Sequence, residues 1–198
     1  MSIESDVVVQ HIIESADNVV SAYEVHHAFP RARWALIERA LTELESRLRS
    51  KWGQGDITVT SQFKGNDIDS TAALHFLVGR SSWPSSVRVG YASDWKQACL
   101  MSVGVKCNDV EMEKAVLEYV TPQLDAAVCK HDRKHFAHWP WYYFLPPPYD
   151  HWNQPPALKA FAEYESNRQI AAVEHLFLRL DEILETADPY LRSLASSV

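Results

Sequence analysis

The chain has 198 residues, 46% of them hydrophobic and 23% charged, with 26 acidic against 19 basic side chains and a formal charge of −7. These proportions belong to a folded globular chain and exclude disordered, collagen-like and coiled-coil classes. The excess of acid disfavours nucleic acid as a partner unless the cations gather on one face.

From Asp6 to Tyr23, Val9, Ile12, Ile13, Ala16, Val19 and Val20 fall at three- and four-residue steps, the pattern of an amphipathic helix. Pro30 reads as the opening of a second helix, because proline suits a first turn and breaks an interior. Trp34, Ile37, Leu41, Leu44 and Leu48 then form a continuous stripe up to Lys51, and Gly53 and Gly55 stop it.

After Gly55 the period changes to two. Ile57, Val59 and Ser61 alternate with Thr58, Thr60 and Gln62, and polar turns set off further strands at Thr71–Val78, Val87–Ala92 and Ala98–Val105. Four short strands with short connections predict an antiparallel meander, since parallel neighbours need long crossovers. The helix from Trp34 to Leu48 is the expected cover for one face of that sheet.

Asn108-Asp109 provides an N-cap for a helix carrying Val110, Ala115, Val116, Leu117 and Val120, and Pro122 either kinks it or starts another reaching about Cys129. Residues 136–156 are rich in aromatics and proline and predict an irregular segment. A last helix is expected from Ala157 to Ala187, ended by Pro189. With no linker or repeat, residues 1–198 read as a single α+β domain, an antiparallel sheet of about four strands packed against N-terminal and C-terminal helices.

Two clusters bear on ligands. His131, His135 and His138 would share one helical face and could hold zinc, with Cys129 or Asp132 as an extra ligand, although HDRKH lacks the glutamate of a metalloprotease H-E-x-x-H. Lys130, Arg133 and Lys134 beside them are the better candidate for an anionic partner. The arginines from Arg31 to Arg49 alternate with Glu38, Glu43 and Glu45 and read as i,i+4 pairs on a solvated face. His75 and His175 lie in apolar runs, where hydrogen-bonded core histidines are expected. Trp139, Trp141, Tyr142, Tyr143, Phe144, Tyr149 and Trp152 form the most distinctive feature. Most are expected to clamp the irregular segment to the sheet; alternatively Trp139, Trp141, Tyr142, Tyr143, Tyr149 and Trp152 face a partner, where such rings concentrate binding energy.

The succession VRVGYASDWKQACLMSVGV, a helix, HWPWYYFLPPPYDHWN and a long final helix resembles the C-terminal region of bacterial proteins of the PD-(D/E)XK nuclease superfamily. Trp139-Pro140, Trp141, Tyr142, Tyr149 and Trp152 carry the resemblance. A nuclease of that superfamily holds Mg²⁺ with a carboxylate at one strand end and Glu/Asp-x-Lys on the next. Asp94-Trp95-Lys96 has that spacing but falls in a predicted turn, with Asp69 as the further carboxylate. Glu111-Met112-Glu113-Lys114 falls in a predicted helix. The resemblance therefore implies a catalytically silent accessory region.

The leading expectation is a non-enzymatic, macromolecule-binding protein with a protein partner and no cofactor, such as a phage-encoded inhibitor of a bacterial defence complex or an immunity-like protein. The alternatives are a magnesium-dependent nuclease using Asp69, Asp94 and Lys96, and a zinc-binding module using His131, His135 and His138. No run of about 20 apolar residues marks a membrane span. Glu4 and Asp6 stand where an export signal would be basic, and three cysteines without C-x-x-C spacing suit a reducing compartment, so the expected location is cytoplasmic. The oligomeric state is left open by the sequence.

Overall fold

The computed structural model describes residues 3–62, 75–95, 99–130, 138–163 and 170–196. Two helices come first, α1 at Ile3–Ile13 and α2 at Ala16–Trp52. Ser15 between them is extended, and its hydroxyl accepts from the Asn18 N–H at 3.1 Å, satisfying one free donor of the new helix. Contrary to the sequence expectation, Pro30 does not open a helix; it lies inside the 37-residue α2. Proline already has a helical φ, so the cost is the hydrogen bond lost to the preceding turn and the crowding there. Gly53 closes α2 as expected, at φ 93° and with its N–H on the Arg49 carbonyl at 3.1 Å.

Among the described residues the sheet is an antiparallel meander of five strands in sequence order: β1 Ile57–Ser61, β2 His75–Arg80, β3 Val87–Trp95, β4 Cys99–Cys107 and β5 Trp141–Phe144. The fifth strand lies within the segment read as irregular. Trp141-Tyr142-Tyr143-Phe144 is a proline-free run of strong strand formers, and Pro140 and Pro146 flank the paired stretch, so neither interrupts a ladder hydrogen bond. Leu77, Gly90, Gly104 and Tyr142 form one row across four strands. A Cβ at Gly90 would come within 2.1 Å of the Phe76 carbonyl oxygen, and one at Gly104 within 2.3 Å of the Trp141 carbonyl oxygen. Only glycine permits this backbone approach.

The alternate residues Phe76, Val78, Val87, Val89, Tyr91, Met101, Val103, Val105 and Trp141 are buried on one side of the sheet. They form a common core with Ile37, Leu41, Leu44 and Leu48 of α2, so the expected cover is in place. Its other half is α6, Ala171–Ser196, whose Val173, Leu176, Leu180, Leu184 and Leu191 join the same core. Pro189 sits within α6 rather than ending it. Ala187 and Leu191, on either side of it, are fully buried; a buried leucine contributes ~1.5–3 kcal/mol, which offsets most of the ~3 kcal/mol cost of an interior proline.

Between β4 and β5 stand α3, Val110–Tyr119, and α4, Thr121–Ala127. Asp109 caps α3 through the Met112 N–H at 2.8 Å, and Pro122 opens α4, deciding between the two readings of that proline. Helix α5 spans Pro155–Ala162, so the single final helix of the sequence reading is two helices. Among the described residues no helix is long and apolar enough to cross a membrane.

Candidate functional site

The aromatic block is divided by the pleat of β5. Trp141 turns into the core, where its indole N–H donates to Asp125 Oδ1 at 3.0 Å. Tyr142 lies against Gly104 on the other side and is 2% exposed. Trp152 is fully enclosed, edge-on to Phe161 at 5.5 Å and tilted on Tyr91 at 5.6 Å. These three rings offer a partner almost no surface. Trp139, Tyr143 and Tyr149 are half-buried, and Tyr149 stacks on His175 with ring centroids 4.4 Å apart.

Of the histidine triad, His131 and His135 lie outside the described residues. His138 is not on a helix: it occupies a turn with φ 72°, and its carbonyl accepts from the Cys107 N–H at 2.8 Å, tying the approach to β5 to the end of β4. Its Nδ1 is 3.9 Å from Glu113. Asp69 and Lys96 also lie outside the described residues, and Asp94 belongs to β3 rather than to a turn. The Glu111–Lys114 pair closes on itself at 2.7 Å on the exposed face of α3. Among the described residues no group of three or more His, Cys, Asp or Glu side chains is placed to hold a metal ion.

A set of titratable groups lies between β5 and α6. Burial pushes the Tyr143 hydroxyl up to about 12, with Arg179 opposing and Cys129 and Glu182 adding to the rise. Burial, then Asp125, raises the Cys129 thiol. Burial, then Arg179, lowers the His175 imidazole. Each shift favours the uncharged form: a protonated thiol is a poor nucleophile, and a phenol so raised does not give up its proton at neutral pH. Cys107 is buried and raised to about 12 in the same way. In the arginine-rich part of α2 two of the expected i,i+4 pairs form. Arg47 pairs with Glu43 at 3.4 Å and Arg49 with Glu45 at 2.8 Å. Arg47 also contacts Glu174 of α6, and Lys51 reaches Asp181 at 2.5 Å.

The anomaly of the molecule lies elsewhere. The buried stripe of α2 begins at Ile37, whereas nine large apolar side chains between Val7 and Phe29 stand in solvent. Val7 is 64% exposed, Ile13 61%, Tyr23 65%, Val25 66% and Phe29 52%, with Val8, Val9, Val19 and Val20 in the same condition. Residues 7–29 therefore form a helical arm whose own contact is slight: Ile12, Asn18 and Ala22 are half-buried where α1 meets α2. The sequence reading took Val9, Ile12, Ile13, Ala16, Val19 and Val20 as the pattern of an amphipathic helix, yet of these only Ile12 is half-buried and the rest are exposed. The missed signal was the run of three consecutive valines, Val7-Val8-Val9, which one side of one helix cannot bury together.

Compared with protein-family models, curated proteins and solved structures, the chain matches none of them.

Proposed function

We propose that this chain is a non-enzymatic macromolecule-binding protein, and that its docking element is the arm formed by α1 and the first half of α2. The observation that carries this reading is the exposure of nine large apolar side chains between Val7 and Phe29. Scattered exposed apolar residues are ordinary; a dense set of them on two neighbouring helices marks an interaction surface. Helices of this length draw little stability from propensity alone, less so when rich in β-branched valine, and depend on a covered apolar face. The docking role expected of the aromatic block is thus better served by the arm, which has free surface where Trp141, Tyr142 and Trp152 have almost none. An inhibitor or immunity-like protein is one member of this class.

The test is affinity capture from the native host with wild-type bait and with a Val19→Asp/Tyr23→Asp bait. The proposal expects the bound set to be lost in the variant while thermal unfolding of the body, whose core begins at Ile37, is retained. The same bound set on both baits would refute it.

A further inference from the structure

We infer that the side of the sheet turned away from α2 and α6 carries an anion site, where Arg88 and Lys106, with His75 on the same side, take a doubly charged terminal phosphate. The inference is independent of the arm and stands or falls without it.

The first support is uncompensated charge. Arg47, Arg49, Lys51, Arg80, Arg179 and Arg192 each lie within 3.5 Å of a carboxylate oxygen. Arg88 and Lys106 have no such partner among the described residues, and they stand directly opposite each other on β3 and β4. Like charges facing across a strand pair destabilise it. A chain with 26 acidic and 19 basic residues could readily have placed a carboxylate at one of the two positions. Both cations are half-buried, so water screens them less than cations on an open surface.

The second support is the floor on which they stand. By the alternation of the strands, His75, Leu77 and Gly79 of β2, Arg88 and Gly90 of β3, and Gly104 and Lys106 of β4 share this side, opposite the core residues Val78, Val89 and Val105. Arg88 lies down across β2: a Cβ at Gly79 would meet its Cδ and Nε at 2.8 Å. Its Nη1 donates to the carbonyls of Ser85 at 2.8 Å and Val87 at 2.6 Å. The guanidinium is thus held in place before any ligand arrives, and Nη2 remains to donate. Thr58, paired with Gly79 on β1, sets an exposed hydroxyl-bearing residue next to it. His75 is half-buried, and Lys106 lowers its imidazole after burial does, so the ammonium is felt across β3.

The third support is the match of charge. A terminal phosphate carries about −1.5 to −2 at neutral pH and offers three acceptor oxygens, which suits a fixed guanidinium and a mobile ammonium on adjacent strands. A carboxylate or a single phosphodiester brings only one charge to the pair.

The test is an NMR-monitored titration of the purified full chain at low salt, reading the His75 imidazole, with inorganic phosphate and with phenyl phosphate as probes. Either probe should shift His75 saturably and raise its titration midpoint, because a bound anion offsets Lys106. A response to inorganic phosphate alone would identify the free anion as the ligand class, and an equal or stronger response to phenyl phosphate a phosphate monoester. Lys106→Gln should weaken binding by about tenfold. Lys106→Glu should abolish it while raising the melting temperature, because an opposite-charge pair replaces a like-charge one; loss of binding is then separated from loss of the fold. Absence of a saturable shift with both probes, or binding undiminished in Lys106→Gln, would overturn the inference. An oligothymidylate that displaces phosphate and binds more tightly would overturn the choice of a terminal phosphate.

Discussion

Asp188 sits where three donors meet. Its Oδ1 accepts from Arg80 at 2.8 Å and from the Trp83 indole N–H at 2.8 Å, and its Oδ2 faces Arg192 at 2.9 Å. Arg80 is 6% exposed and Asp188 14%, so water cannot replace the lost partners. Asp188→Ala should cost about 1–3 kcal/mol in urea unfolding, because the Trp83 indole N–H loses its acceptor and Arg80 keeps only its pairing with Asp56 at 3.2 Å. A second residue-scale effect concerns pH. His75 is lowered by burial and then by Lys106, and His175 by burial and then by Arg179. Both imidazoles bind protons less readily folded than unfolded, so the unfolded chain takes up more protons as pH falls through the ordinary imidazole range, about 6.5. Stability is therefore full above that range and is lost on acidification. The His75→Gln/His175→Gln protein should show a flatter fall in melting temperature between neutral pH and pH 5.

Glycine and proline decide the elements. Gly104 lets β5 approach β4, and an added methyl would meet Trp141 oxygen at 2.3 Å and Tyr142 Cα at 2.7 Å, backbone atoms with no rotamer to yield. Gly104→Ala should destabilise the protein by about 1–3 kcal/mol or more. The loss should appear first as faster amide exchange at Trp141–Phe144, the edge strand. The prolines show why element boundaries were only partly legible. Pro122 does open a helix, as one reading allowed, whereas Pro30 and Pro189 lie inside helices. Sequence spacing shows where a proline costs a hydrogen bond; it does not show the burial, such as that of Ala187 and Leu191, that carries a helix past it. The strand β5 was hidden by neighbouring prolines for the same reason, since its pairing with β4 joins residues about 40 positions apart.

At the scale of the whole molecule, a covered sheet and an uncovered arm stand on the same helix. Because the arm's own packing is slight while the core of the body begins at Ile37, α1 and the first half of α2 should melt at a lower temperature than the body. Circular dichroism should resolve two transitions in wild type, and Val19→Asp/Tyr23→Asp should leave the body's transition in place. A single transition that the variant shifts as a whole would contradict this.

Local pattern by itself determined the class of this protein: alternation at Ile57–Gln62 and short runs bounded by polar turns up to Val105 read as strands, the Trp34–Leu48 stripe requires something to lie on, and short polar connections require neighbouring strands to run antiparallel. The Asp109 cap and the Gly53 stop were equally local, because each depends on a few adjacent backbone groups. The tertiary structure decided which apolar faces find a partner within the chain. Trp141 and Trp152 were candidates for a surface and became core once β5 joined the sheet beneath α6. Val19 and Val20 belonged to an expected amphipathic helix and stand exposed, because the core of the body begins only at Ile37. Hydrophobic spacing states that a face must be covered; only the arrangement of all the elements determines how much cover the chain can supply.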